Sequence, residues 1–387
     1  MIREISIRNF KSIVDMTLDL GRINVIIGAN GCGKTNILEA ILFAAAANQR
    51  KLDKEFLLNR DMRIAEPSLM LNAFEEGPFC DEQCDGDCNV IEVSVKEDDK
   101  KDKKIRLSYS EEEKKWCDQR FAVVTPEDLK AAISFLDEKQ KSDVSANIDS
   151  RFDRDFTEIL RQLSIDAQKS NINSFLIYHP TERHLKEVKE SPIYPIGVKG
   201  EGLLQYLKEK SKQEEYKGMF EAINEGLGVL DWFDGVSLPA DLMSNEYRLS
   251  IGDRYLSDSL HYFDQRSTNE GFMFLLFYLT LFNSLDTPPF FSIDNIETAL
   301  NPKLCTELTS RLINTAKKKD KQVILTTHSP FVLDALDLSD DEVRLFVARR
   351  DIDGHTRLDR INYREDRKML LSELWMSGLI GGLPDNF

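Results

Sequence analysis

A chain of 387 residues, 41% of them hydrophobic, is long enough to bury a sizeable core as one large α/β head with insertions. Its formal charge of -16 argues against a surface broadly attractive to nucleic acid or anionic lipid, although a local basic groove stays compatible with it. Six cysteines do not make a secreted disulfide framework, residues 1–11 lack the apolar run of a signal peptide, and the longest apolar stretch, 272–282, is too short to span a bilayer, so a cytoplasmic protein with no membrane contact is expected.

Ile5 and Ile7 alternate with polar residues, as do Met16, Leu18 and Leu20, which predicts two half-buried strands. Residues 23–27 form a more continuously apolar strand, the pattern of a sheet covered on both faces. A glycine-rich turn and a helix over 35–47 follow, then strand-like runs at 68–73, 90–95, 105–109 and 121–124. From 126 the pattern becomes helical and highly charged without long heptads, which predicts an inserted lobe too short for a coiled-coil arm. Strand character returns at 175–178, and helices over 201–212 and 215–227 lead to a hairpin near 247–251 and 254–256. A long apolar helix at 269–284 precedes the buried strand 290–294; helix 302–318 and strand 323–326 complete a β-α-β unit. The tail holds a strand at 343–348 and a short closing helix ending in Gly378 and Gly381-Gly382.

Gly28-Ala29-Asn30-Gly31-Cys32-Gly33-Lys34-Thr35 fits G-x-x-x-x-G-K-[ST] between a strand and a helix. The glycines let backbone N–H groups curl around a β-phosphate, and the helix start adds partial positive charge. Lys34 is expected at the β- and γ-phosphates and the Thr35 hydroxyl on Mg²⁺, with Asn30, Gly31, Cys32, Gly33 and Asn36 completing the ATP cradle. Much later, the apolar strand ending at Asp294 has the form of a Walker B element, whose carboxylate holds Mg²⁺ through water; alone, it reads equally as an acidic cap after a strand. Thr326-Thr327-His328-Ser329-Pro330 ends the next strand. A lone histidine there reads as structural, but one helix and one strand after Asp294 it matches the switch histidine of ABC ATPases.

The phosphate loop, the run Asp294-Asn295-Ile296-Glu297-Thr298-Ala299-Leu300-Asn301-Pro302 and the Thr-His-Ser-Pro turn together resemble the AAA-type ATPases of the ABC superfamily. That group includes SMC and RecF proteins, OLD-family ATPases, and ATPases of bacterial anti-phage systems of the Septu, retron-associated and PARIS types. The resemblance covers both ends of the chain and little of 40–245. It implies an α/β fold, an ABC-ATPase head with a mixed central sheet, an antiparallel β subdomain and an inserted helical lobe. The division would be 1–125 for the N-terminal half with the phosphate loop, 126–172 for the lobe, and 173–387 for the C-terminal half. Asn9-Phe10-Lys11-Ser12 matches the family's start, which implies that Lys11 lies beside the nucleotide. The closing Leu371-Ser372-Glu373-Leu374-Trp375 run resembles tails of the defence-type members.

Family members close an ATP sandwich in which each head's signature motif caps the nucleotide of the other, so a head-to-head dimer or higher oligomer is implied. The candidate is Ser267-Thr268-Asn269-Glu270-Gly271, with Ser267 and Gly271 at the γ-phosphate. It reads also as an ordinary N-cap, and Leu256-Ser257-Asp258-Ser259 is a competitor without the glycine. In most relatives glutamate follows the Walker B aspartate and polarises the attacking water. Here Asn295 stands there; it can orient water but not accept its proton, so a slow ATPase is expected. Glu297 either stands in for that glutamate or is a first-turn acid favoured by the helix dipole, which leaves Asn295, Glu297 and His328 as the catalytic candidates.

OLD-type nucleases carry a TOPRIM domain after the switch histidine, for which the remainder of this chain has no room. Nuclease activity in cis is not expected, and an effector, nuclease or toxin, would be a separate protein. The reading is thus an ATP-dependent sensor or regulator in an anti-phage module. The alternatives are a RecF-like or SMC-like repair ATPase acting on DNA and an ATP-stabilised scaffold with vestigial hydrolysis. Lys100-Lys101-Asp102-Lys103-Lys104 and Lys114-Lys115 read as a basic patch for DNA or as an ordinary charged surface. Cys80, Cys84 and Cys88 read as part of a zinc site or of a solvated loop, and residues 195–202 resemble a glycine-rich family turn before a helix.

Overall fold

The computed structural model describes residues 1–72, 89–98, 102–119, 170–239, 242–243, 245–257, 259–260, 262–365 and 368–383. The expected lobe, apart from 170–172, the expected strand at 121–124 and Cys80, Cys84 and Cys88 lie outside the described residues.

The described chain opens with β1 (Ile2–Phe10), β2 (Ile13–Asp19), β3 (Ile23–Ile27), α1 (Lys34–Asn48), α2 (Lys54–Asn59) and α3 (Pro67–Met70). It continues through β4 (Val90–Glu97), β5 (Lys103–Ser110), β6 (Lys115–Asp118), β7 (Ile177–Tyr178), α4 (Glu182–Lys186), α5 (Leu203–Lys210) and α6 (Lys217–Leu227). Then come β8 (Phe233–Ser237), β9 (Ser250–Asp253), α7 (Glu270–Asn283), β10 (Phe290–Ile293), α8 (Pro302–Lys318) and β11 (Gln322–Thr326). The last elements are α9 (Pro330–Leu333), β12 (Val343–Arg350), β13 (Thr356–Ile361) and α10 (Leu371–Met376).

A mixed sheet in the order β13-β12-β3-β11-β10-β7 forms the centre, parallel except for the β12–β13 pair, and an antiparallel sheet in the order β2-β1-β4-β5-β6 lies beside it. Side chains alternate across the central sheet. Ile26, Phe290, Ile324 and Phe346 join the core under the antiparallel sheet, whereas Val25, Phe291, Leu325 and Leu345 face the core built on α7. Burial on both faces is why 23–27 reads as an unbroken apolar run.

α1 lies between the two sheets, touching β1, β4 and β5 on one side and β7 on the other, and Ala44, Ala45, Ala46 and Ala47 keep it thin enough to fit. α7 is apolar all round because every residue from Phe272 to Asn283 is buried. Among the described residues no helix is long and apolar enough to cross a membrane.

Two local expectations fail. The strand expected at 68–73 does not form over its described residues 68–72: Pro67, at the first helical position, fixes φ for a turn of helix and α3 forms instead. The expected hairpin within 247–256 is also absent, since β9 pairs with β8 across a register shift at Phe233/Gly235. β8, β6 and β13 carry few apolar residues, so their pattern gave no signal.

Candidate nucleotide-binding site

The carboxyl end of β3 turns through Gly28, Gly31 and Gly33, all at positive φ (149°, 76° and 106°). A Cβ on Gly28 would lie 2.2 Å from the Ala348 carbonyl oxygen, and one on Gly33 2.0 Å from Thr356 Oγ1. Both positions therefore need glycine for backbone conformation and for close approach. Gly33 caps α1 without a side chain, which leaves the first N–H groups of the helix uncovered, and Thr35 sits half-buried in the first turn. Lys34 Nζ donates to the Gly28 and Ala29 carbonyls at 2.8 and 3.1 Å and lies 3.9 Å from Cys32 Sγ. Burial pushes the Lys34 ammonium below its usual pKa, against the fields of Cys32, Asp294 and Glu297. Asn30 and Gly31 form the exposed tip; the Gly31 carbonyl accepts from Arg350 Nε at 3.0 Å and that of Cys32 from Thr356 Oγ1 at 2.9 Å.

Beside the loop, the ends of β10 and β11 are stitched together. Thr326 Oγ1 donates to Asp294 Oδ1 and accepts from the Asn295 N–H at 2.9 Å. Glu297 accepts from Thr327 Oγ1 at 2.7 Å and from the His328 backbone N–H at 2.8 Å. Burial, and next the Lys34 ammonium, hold the His328 imidazole below its usual pKa, against Glu297 and Asp294. On the other flank Ile293 pairs with Tyr178, so His179 follows in register beside Asp294. Its Nε2 lies 2.8 Å from Asp61, which also meets Lys199 at 2.6 Å.

A cleft of about 410 Å³ lies against the loop's other side, lined by Lys11, Ser12, Asn36, Arg63 and Arg350. Glu39 on α1, with 2% side-chain exposure, organises it by accepting from Lys11 Nζ at 2.6 Å and from Arg63 Nε at 2.8 Å. Burial raises the Glu39 pKa, but Arg63 and Lys11 outweigh it and hold the carboxyl below its usual range. Asn36 Nδ2 donates to Ser12 Oγ at 2.8 Å, and Ser12 Oγ meets Thr356 Oγ1 at 2.7 Å. Arg63, Arg350 and Thr356 belong to no motif and were missed in the sequence. Glu39 left a signal, a carboxylate within the apolar run of α1.

Ser267 is exposed, and its hydroxyl and N–H both donate to Asp264. Asn269 is the N-cap of α7, accepting from the Phe272 N–H at 2.9 Å. The Thr268 hydroxyl is buried and has no hydrogen-bond partner among the described residues. A Cβ on Gly271 would lie 3.1 Å from the Ala299 carbonyl, so this helix start abuts the loop that follows Asp294. The structure thus gathers 28–36, Lys11, Asp294, Asn295, Glu297 and His328 at one end of the sheet, with Gly271 against the loop after Asp294 and Ser267 exposed just before the same helix start.

The family model described as "AAA ATPase domain" matches residues 1–225, more than half of the chain. The chain belongs to this AAA ATPase domain family. It is an ATP-binding head with a mixed sheet and an antiparallel subdomain. Residues 258–334 also match a model described as "AAA domain, putative AbiEii toxin, Type IV TA system". No curated protein matches the chain. Among solved structures, an SMC head bound to the C-winged helix domain of ScpA is similar at a TM-score of 0.55 and 15% identity, over 93% of this chain and 98% of that one. The SMC head domain from Thermotoga maritima has a TM-score of 0.48 and 13% identity over 94% and 99% of the two chains. An Smc head with an extended coiled coil, bound to the C-terminal domain of ScpA and derived from Pyrococcus furiosus, has a TM-score of 0.49 and 17% identity over 98% of each. At these identities the likeness is one of fold.

Proposed function

We propose that this chain is an SMC/RecF-like ATPase head that binds MgATP, closes against a second copy over the nucleotide and turns it over slowly. The observation that carries this reading is the meeting of 28–35, Asp294 and His328 at the carboxyl ends of the neighbouring strands β3, β10 and β11, where open α/β sheets hold their ligands. The uncovered N–H groups of α1 and the Lys34 ammonium would take the phosphates. The Thr35 hydroxyl and the Asp294 carboxylate are hard oxygen donors that fit Mg²⁺, which would neutralise phosphate charge. Lys11 and Asn36 would flank the nucleoside. Asn295 would orient water without accepting its proton, and His328 would face the γ-phosphate. The exposed Ser267 and the start of α7, whose Gly271 stands against the loop after Asp294, support a role as the cap on a second copy's nucleotide.

The SMC-head fold favours a head that drives a DNA-associated assembly with a separate partner protein. The toxin–antitoxin wording of the second family model supports a second reading, a regulator that controls a separate nuclease or toxin in an anti-phage module. A fluorescent ATP analogue and light scattering test the common part. Binding by the wild type, lost tenfold or more in Lys34→Ala, and an ATP-dependent doubling of mass are expected; equal affinity of the two proteins would falsify the reading. A DNA affinity that falls steeply with salt supports the first partner class. Salt-independent failure to bind DNA, with a toxic protein encoded beside it, supports the second.

A further inference from the structure

Glu297 has two places in the reaction open to it. As a base it would take a proton from the attacking water; as a holder it would fix something else. Both of its oxygens point back into the protein. Oε2 accepts the Thr327 hydroxyl at 2.7 Å and Oε1 accepts the His328 backbone N–H at 2.8 Å. Thr327 Oγ1 in turn accepts the Ser329 N–H at 3.0 Å, so the clasp extends past the histidine on both sides. The loop carrying Glu297 is fixed to the same strand end by the Ile296 N–H, which donates to the Thr326 carbonyl at 3.2 Å. It is fixed again by Thr326 Oγ1, shared between Asp294 and Asn295. His328 itself is exposed, and β11 ends at Thr326, so no strand pairing holds the histidine's own N–H.

We propose that Glu297 is a positioning residue: its carboxylate clasps the Thr327 hydroxyl and the His328 backbone N–H and so fixes where the His328 imidazole stands relative to Asp294 and Lys34. This rests on the reading of the site as an ATPase. A carboxylate suits the task because it offers two acceptors and no donor to two converging donors, and hydrogen bonds to a charged acceptor are the stronger kind. Glutamine keeps most of that geometry. Its carbonyl oxygen still accepts the His328 N–H, and its amide donates to Thr327 Oγ1, whose hydrogen turns towards the Ser329 carbonyl 3.5 Å away. Alanine keeps none of it.

Glu297→Gln and Glu297→Ala are to be compared with the wild type in ATP affinity, kcat and amide exchange at His328. The clasp predicts kcat within about threefold of wild type for Glu297→Gln, as expected when a hydrogen-bonding shape is kept and only basicity removed. For Glu297→Ala it predicts a loss of roughly thirtyfold or more in kcat, ATP affinity within about threefold, and a His328 amide that exchanges faster. A Glu297→Gln protein as inactive as Glu297→Ala would overturn the proposal, because basicity would then be what matters. So would a His328 amide equally protected in all three. Amide exchange needs no turnover, so it decides the clasp even if the wild type binds ATP without hydrolysing it, and a wild type that does not bind ATP refutes the ATPase reading instead.

Discussion

Asn295 stands with φ at 55°, in the left-handed region where asparagine is among the few non-glycine residues at ease, and its N–H is held by Thr326 Oγ1. The residue therefore suits its backbone while giving up the carboxylate that the resemblance leads one to expect. Asn295→Glu should restore a base at the cost of about 1 kcal/mol of backbone strain. The expected outcome is a kcat at least tenfold above wild type with a slightly lower melting temperature; an unchanged kcat would mean that the missing carboxylate is not what limits turnover. The two imidazoles flanking this point carry a second prediction. His179 is held below the usual histidine pKa chiefly by burial, with Lys199 adding to it against Asp61; His328 is shifted the same way, but its exposure lets solvent screen most of the effect, so it adds little. The unfolded chain binds those protons more readily, so this stability is present above about pH 6.5 and is lost as pH falls through the lowered folded values. Urea midpoints should be level from pH 8 to 7 and decline between pH 6.5 and 5, above the range where carboxylates such as Glu39 protonate; a midpoint that holds to pH 5 would contradict it.

Among the elements, those with a single environment were the legible ones. β3, β10 and β11 are buried on both faces and α7 on all sides, so their apolar runs announced them. The candidate site followed the same logic, because 28–35, Asp294 and His328 each end a legible strand at the spacing a motif requires. What stayed hidden depends on pairs far apart in sequence. Ser12 meets Thr356, Arg350 holds Gly31, and Glu39 gathers Lys11 and Arg63, none of which leaves a periodic trace. The packing of α7 is itself testable. Phe277 is fully buried and stands edge-on to Tyr178, which precedes His179. Phe277→Ala should cost about 3–5 kcal/mol in chemical denaturation, and a loss below about 1 kcal/mol would show that this helix is not the packed centre of its half.

Across the whole molecule the net charge is -16. On the outer surface of the antiparallel sheet Lys96 pairs with Glu4, Lys104 with Glu92 and Arg8 with Asp15, and Lys115 pairs with Glu113 at its edge. The segment around Gly382 meets the phosphate loop directly. Gly382, at φ 80°, lies where a Cβ would be 2.8 Å from Val347 Cγ1 and 3.4 Å from the Cα of Gly28, the first glycine of the phosphate loop. In the same segment the Ser372 N–H donates to Asp334 Oδ1 at 3.1 Å, which ties α10 to the end of α9, the helix after His328. The tail therefore touches the phosphate loop and the helix after His328, and a bulky residue at 382 has to displace either Val347 or the loop. Gly382→Val should weaken ATP binding about tenfold and, because it sets a β-branched residue at positive φ against the buried Val347, should also cost about 1–3 kcal/mol of stability. Gly378, also at positive φ but with open space around it, supplies the control: Gly378→Asn should bind ATP as the wild type does. If Gly382→Val binds ATP normally, the contact between tail and loop is incidental to nucleotide binding.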